Sequence, residues 1–130
     1  MNYRWLHVSG VSGLLAVAFG AFGAHSLQPS MTSELQAVYE TAVNYHFYHT
    51  FALLAVALLG AHIKHSMINW VGYCFLMGVL LFSGSLYLLS ITGIRWLGMV
   101  TPLGGILLLN GWLLLVVLAR KHARLRLKAD

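Results

Sequence analysis

Charge is what this sequence has least of. Only 8% of its 130 residues are charged, against 59% hydrophobic, and the acids number three: Glu34, Glu40 and Asp130. So few charges cannot cover a water-soluble globule of this length, and a mean hydropathy of +0.78 makes the bilayer its solvent. Hydrocarbon about 30 Å thick takes roughly 20 apolar residues per helix, which leaves room for four spans and no separate soluble domain. Cysteine is nearly absent too. Cys74 stands alone inside an apolar run, so an intrachain disulfide is excluded. No Asp or Glu lies within an apolar run to orient a histidine beside a serine or to carry protons across, which removes the support that a catalytic triad or a pump needs. Proline occurs twice: Pro29 breaks the first helix, and Pro102 falls in the first turns of the last span, where a missing donor is tolerated.

What is present reads as an all-α membrane protein of one domain, with four transmembrane helices over about 6–24, 45–63, 70–91 and 97–119 and a basic tail over 120–130. The first apolar run is longer than a cleaved signal usually has and suits a retained anchor. Along it Ser12, Ala16, Gly20 and Ala24 recur every four residues, a smooth face that lets another helix approach and predicts a central place for this span. Between the first two spans a short amphipathic helix is expected on the membrane surface. Ser33 with Gln36 reads as its capping box, and Leu35, Val38, Tyr39 and Ala42 follow at helical spacing. Arg4, Lys64, Arg120, Lys121, Arg124, Arg126 and Lys128 fall on one side of the membrane and Arg95 alone on the other. The positive-inside rule then makes both termini cytoplasmic and turns the 25–44 connection outward, across the inner membrane of a bacterium. The basic tail is a solvated anchor expected to hold anionic lipid. Nucleic acid is not expected as a partner, because the only basic cluster lies against lipid.

Counting 1.5 Å per residue from the centre of each span puts Gly20, His49, Ser85, Tyr87 and Thr101 at roughly 5 to 11 Å on the outer side, with His25 nearer the interface. Thr41, Tyr45 and His49 recur one turn apart on one face of the second span, and Gly20 and Gly23 are expected to leave space beside them. The expectation is an outward-facing polar pocket lined by His25, Tyr45, His49, Ser85, Tyr87 and Thr101, with His49 its most sensitive member. The plainer alternative is a hydrogen-bonded network that only fixes packing, since polar groups in lipid need partners. Helix packing is assigned to Ser12, Ala16, Gly20, Ala24, Gly104, Gly105 and Asn110, with the Asn110 amide paired to Ser12 or Ser9 at similar depth. More smooth faces than one bundle needs predict a homo-oligomer. His25, His46 and His49, with Glu40 near, offer the imidazoles that zinc, copper or haem iron takes, but His46 and His49 point about 60° apart on a helix. No cofactor is therefore expected, and a metal or haem site is the alternative.

Several linked motifs resemble one family. Gly20-Ala-Phe-Gly-Ala-His25, Tyr45 followed by His49, Phe82-Ser-Gly-Ser-Leu-Tyr87, Thr101-Pro-Leu-Gly-Gly105 and Gly111-Trp112 are similar to the signature of the YgdD/YwdK-like small membrane proteins, domain-of-unknown-function family 423. The resemblance covers nearly the whole chain in motif order, with His46 outside the motifs. It implies a four-helix integral membrane protein and carries no established reaction. The function expected from residues and resemblance together is a non-enzymatic oligomer that binds a small ligand, a lipid headgroup or a protein partner in the outward pocket. A metal- or haem-dependent membrane enzyme using His25 and His49, and a purely structural assembly factor, are the competing readings.

Overall fold

The computed structural model describes residues 2–63 and 66–126, so Lys64, His65 and Lys128 lie outside the described residues. Four helices, α1 (Tyr3–Phe22), α2 (Ser33–Leu59), α3 (Met67–Thr92) and α4 (Thr101–Arg126), are each long and apolar enough to cross a membrane. A π-helical turn over Gly23–Leu27 and a 3-10 turn over Gln28–Ser30 extend α1, and a second 3-10 turn, Arg95–Met99, leads into α4. The surface segment that begins at Ser33 runs unbroken into the second span, giving one helix of 27 residues, about 40 Å long. Its cap is Thr32 rather than Ser33. The Thr32 backbone is extended and its Oγ1 accepts from the Leu35 amide at 3.3 Å, while the Gln36 side-chain amide donates to the Met31 carbonyl at 3.3 Å. At the other turn Gly93 takes φ 70° to end α3, and its N–H donates to the Leu89 carbonyl at 2.8 Å.

The helices pack in chain order: α1 on α2, α2 on α3, α3 on α4. This corrects the central place expected for the first span. Only 22% of its apolar window is buried, against 44% for α2 and 39% for α3, because its small residues form one narrow seam and not a face on every side. Ser12 and Ala16 do lie buried in the seam with α2, and Gly20 comes against Val43, but Ala24 is exposed. The α3–α4 seam is closer still. A Cβ on Gly104 would overlap the Phe82 backbone, one on Gly78 the Leu108 side chain, and one on Gly105 would sit 3.7 Å from the Phe82 ring.

At the side of the membrane that carries the termini, α1, α2 and α3 are tied together. Trp5 is 4% exposed; its indole lies on Gly72 and donates to Asn69 Oδ1 at 2.9 Å. The Asn2 side chain donates to the same oxygen at 3.1 Å, and the Asn2 amide to the Ala57 carbonyl at 3.1 Å. Two apolar clusters result, one on this side around Leu53, Val56, Val71 and Phe75, the other opposite around Tyr39, Ala42, Leu86 and Tyr87. His46, His49, Thr50, Ser83 and Ser85 lie between the two clusters along α2 and α3, so most of the buried polar residues sit in the middle of the bundle.

Candidate functional site

Two histidines three residues apart on α2 turn to different neighbours. The His49 Nδ1–H donates to the Tyr45 carbonyl at 2.8 Å, which leaves Nε2 as an acceptor, and the Trp112 indole N–H donates to it at 3.3 Å. The neutral imidazole with its proton on Nδ1 satisfies both contacts. Phe75 closes the group, with its ring 5.6 Å from His49 and 5.1 Å from Trp112. His46 faces the other way, with Nδ1 3.2 Å from the Tyr87 hydroxyl and the Phe19 ring alongside. Tyr39 completes this second group by donating to the Phe19 carbonyl at 2.6 Å and packing on Tyr87.

Two pairs of hydroxyls form short chains whose proton order is fixed. Thr50 donates to the His46 carbonyl at 2.9 Å, so Ser12 supplies the proton of their 2.6 Å contact. Ser85 donates to the Phe82 carbonyl at 3.0 Å, so Thr101 donates to Ser85 at 2.8 Å. The residues chosen by depth therefore separate by direction. His49 and Tyr45 are neighbours, with Tyr45 also stacked 4.5 Å from Phe82; Ser85 meets Thr101; Tyr87 meets His46; and His25 is exposed in the π-helical turn. Gly20 and Gly23 face Val43 and Tyr39, not the Thr41, Tyr45 and His49 face. Among the described residues no three His, Cys, Asp or Glu side chains come together as a metal ion would need, and His25, His46 and His49 do not converge.

Asn110 overturns its expected contact. It is exposed on the outer face of α4, because α1 and α4 pack on different members of the central α2–α3 pair; Ser12 pairs with Thr50, and Ser9 donates to the Leu6 carbonyl at 2.9 Å. Sequence reasoning also missed His46, Trp112 and Asn69 as polar partners. Indole and amide groups inside apolar runs were the available signal, since each must find an acceptor in lipid. Replacing His49 by alanine removes an acceptor, strands the Trp112 N–H and opens a cavity beside Phe75. A loss of about 2 to 3 kcal/mol is expected in reversible unfolding, with Trp112→Phe recovering part of it in the double variant. Equal stability of His49→Ala and the parent protein would show that this contact is not formed.

The open space with polar lining lies elsewhere on the outer half. Gln36, Glu40 and Asn44 recur every four residues along α2 and face Gly20, Gly23 and Ala24 of α1 across a cleft of about 300 Å³, with Tyr39, Val43 and Met31 completing it. Glu40 is the only charged residue in the lining. Gly23 has the Tyr39 ring where a Cβ would be, so a larger residue there would push α1 from α2 and change the cleft.

A sequence profile described as "Protein of unknown function (DUF423)" matches residues 19–105. The chain is 40% identical to a UPF0382 membrane protein of Staphylococcus saprophyticus over 110 residues, which is 85% of this chain and 91% of that one. It is likewise 40% identical to the UPF0382 membrane protein YwdK of Bacillus subtilis over 116 residues, 88% of this chain and 94% of YwdK. No solved structure matches it. With matches of this extent and four apolar helices, the chain belongs to the DUF423 family, as an integral membrane protein of unknown function.

Proposed function

We propose that this protein is a non-enzymatic, self-associating component of the inner membrane, with both termini cytoplasmic, that binds an ammonium-bearing lipid headgroup in the cleft between α1 and α2. The observation that carries this reading is the polar stripe Gln36, Glu40 and Asn44 facing a wall of small residues. At about 40 Å, α2 exceeds the roughly 30 Å of hydrocarbon by about 10 Å, and that excess, taken at its N-terminal end, carries Gln36 outside and brings Glu40 to the boundary, with Asn44 a turn further in. A single carboxylate with no Lys or Arg in the lining selects a cation and repels phosphate left without a counter-charge. The distribution of positive charge supports the orientation, and it leaves the basic tail to hold anionic lipid on the cytoplasmic face.

Native mass spectrometry of protein extracted from vesicles of mixed phosphatidylethanolamine and phosphatidylglycerol tests the cleft. The ethanolamine lipid should be retained preferentially, and Glu40→Gln should lower that preference at least fivefold while Glu34→Gln, outside the lining, leaves it intact. Retention of both lipids in their bulk ratio would refute the reading.

Self-association is supported by α4. Leu103, Ile106, Asn110, Leu113 and Val117 are spaced three and four residues apart on its exposed face, the spacing of a helix–helix seam with one amide at its middle. A second copy in the same orientation brings its own Asn110 to the same depth.

A further inference from the structure

On the flank of α1 away from the Glu40 cleft, α1 and α3 stand apart. They meet on the terminal side, where Trp5 lies on Gly72 and Arg4 donates to the Tyr73 hydroxyl at 3.0 Å. They meet again on the opposite side, where the Phe19 and Tyr87 rings are 4.9 Å apart. Between these contacts is a window of about 450 Å³, a volume typical of small-molecule sites. Its walls are aliphatic, from Val11 and Leu15 on α1 to Leu76 and Leu80 on α3, and the exposure of Val11 and Leu80 opens it sideways, toward acyl chains. Its inner wall carries Ser12, His46 and Ser83.

Ser83 gives the window its chemistry. The residue is 1% exposed, and its Oγ is the one buried side-chain polar atom among the described residues without a hydrogen-bond partner. The other buried serines near it are engaged: Ser12 with Thr50, Ser85 with Thr101, and Ser90 with the Tyr87 carbonyl at 2.9 Å. An unmatched hydroxyl in hydrocarbon is costly, and water is scarce there. Among the described residues no Asp, Glu, Lys or Arg lines the window, and His7, at its end toward the termini, has Nδ1 on the Tyr3 carbonyl at 2.7 Å, so beside Ser83 a complementary head is uncharged and presents an acceptor.

We infer that the window binds a neutral amphiphile through a carbonyl oxygen, which accepts from the Ser83 hydroxyl while the apolar body lies between Leu15 and Leu80. His46, whose Nδ1 is taken by Tyr87, offers Nε2 as a second polar contact from the same wall. This site is separate from the headgroup cleft and takes a different class of ligand. The carbonyl belongs either to an acyl ester, as in a glycerolipid, or to a free lipid-soluble ketone or quinone.

Full-length protein in mild detergent, titrated with dioctanoylglycerol and separately with decyl-1,4-benzoquinone and read by native mass spectrometry, distinguishes the two sources. One probe should form a saturable one-to-one adduct, and its identity assigns the source. A Cβ on Gly84 meets nothing within 4 Å although Gly84 lines the window, so Gly84→Leu should fill it, abolish the adduct and leave thermal unfolding unchanged. Leu80→Trp fills the same space from the lipid side if Gly84→Leu does not fold. Ser83→Ala should weaken the adduct about fivefold without lowering Tm, since no bond within the protein is lost. Glu40→Gln should leave the adduct unchanged, which separates this site from the fate of the headgroup cleft. Failure of both probes to bind saturably, an adduct that survives both filling variants, or a destabilised Ser83→Ala would overturn the inference.

Discussion

Asn110→Leu is expected to convert a dimer into a monomer. The amide stands on the exposed face of α4 between Leu109, 71% exposed, and Leu113, 60% exposed, so hydrocarbon surrounds it in a single chain. Leucine at this position is favoured in lipid, whereas an amide there needs a partner. Two copies related by a two-fold axis along the membrane normal satisfy each other, because symmetry sets both amides at one depth and each can donate to the other. Interhelical hydrogen bonds of about 0.6 to 2 kcal/mol each make the pair worth roughly 2 kcal/mol, a change of about thirtyfold in the dimer dissociation constant. Energy transfer between labelled copies in liposomes, read against protein-to-lipid ratio, should show that shift. Asn110→Gln should retain most of the association. A parent protein that is monomeric at every ratio, or an Asn110→Leu protein that associates equally well, would falsify the α4 seam.

Gly104→Leu is expected to be the most damaging single change to the fold. The backbone of α4 lies directly on the backbone of α3 at this point, with Phe82 main-chain atoms where a Cβ would be. A rotamer change cannot relieve a clash with main chain, so the helices must separate, and contacts along the whole α3–α4 seam weaken. A loss of about 3 kcal/mol or more is expected, with a fall of roughly 10 °C or more in Tm. Gly10→Leu is the control, since a Cβ on Gly10 meets nothing within 4 Å. Equal melting of the two variants would mean that α3 and α4 are not this close.

The sequence made depth legible and direction illegible. Long apolar runs, Pro29 and the sparse charges located four helices, because the length needed to cross hydrocarbon leaves little freedom. Depth was read from the same count, but the buried polar residues of α2 and α3 spread along the helices, with His49 beside Phe75 and Ser85 ten residues further along α3. Which way each one points was hidden, since helices that are apolar on every side carry no pattern marking the packed face. His46 and His49 illustrate the cost. Spaced about 60° apart, they serve different seams, one with Tyr87 and the other with Trp112. Asn110 illustrates it again, having the depth of Ser12 but facing away from it. Gln36, Glu40 and Asn44 were the exception in principle, because a polar stripe on a helix entering lipid carries its own direction.

The tie at Asn69 also bears on the order of assembly. The Asn2 side chain and the Trp5 indole both donate to a side chain more than sixty positions later, so in a chain made from its N-terminus these two groups have no partner until the third helix exists, while the Asn2 backbone amide already meets Ala57 of the second. Through that interval α1 must reside in lipid without its lock, and its composition allows this: the span has no charged residue after Arg4, and Ser9 meets its own helix backbone at Leu6. The seam between α1 and α2 is thus available first, through Ser12 with Thr50 and Tyr39 with the Phe19 carbonyl, and the head of α1 is the part that waits for Asn69.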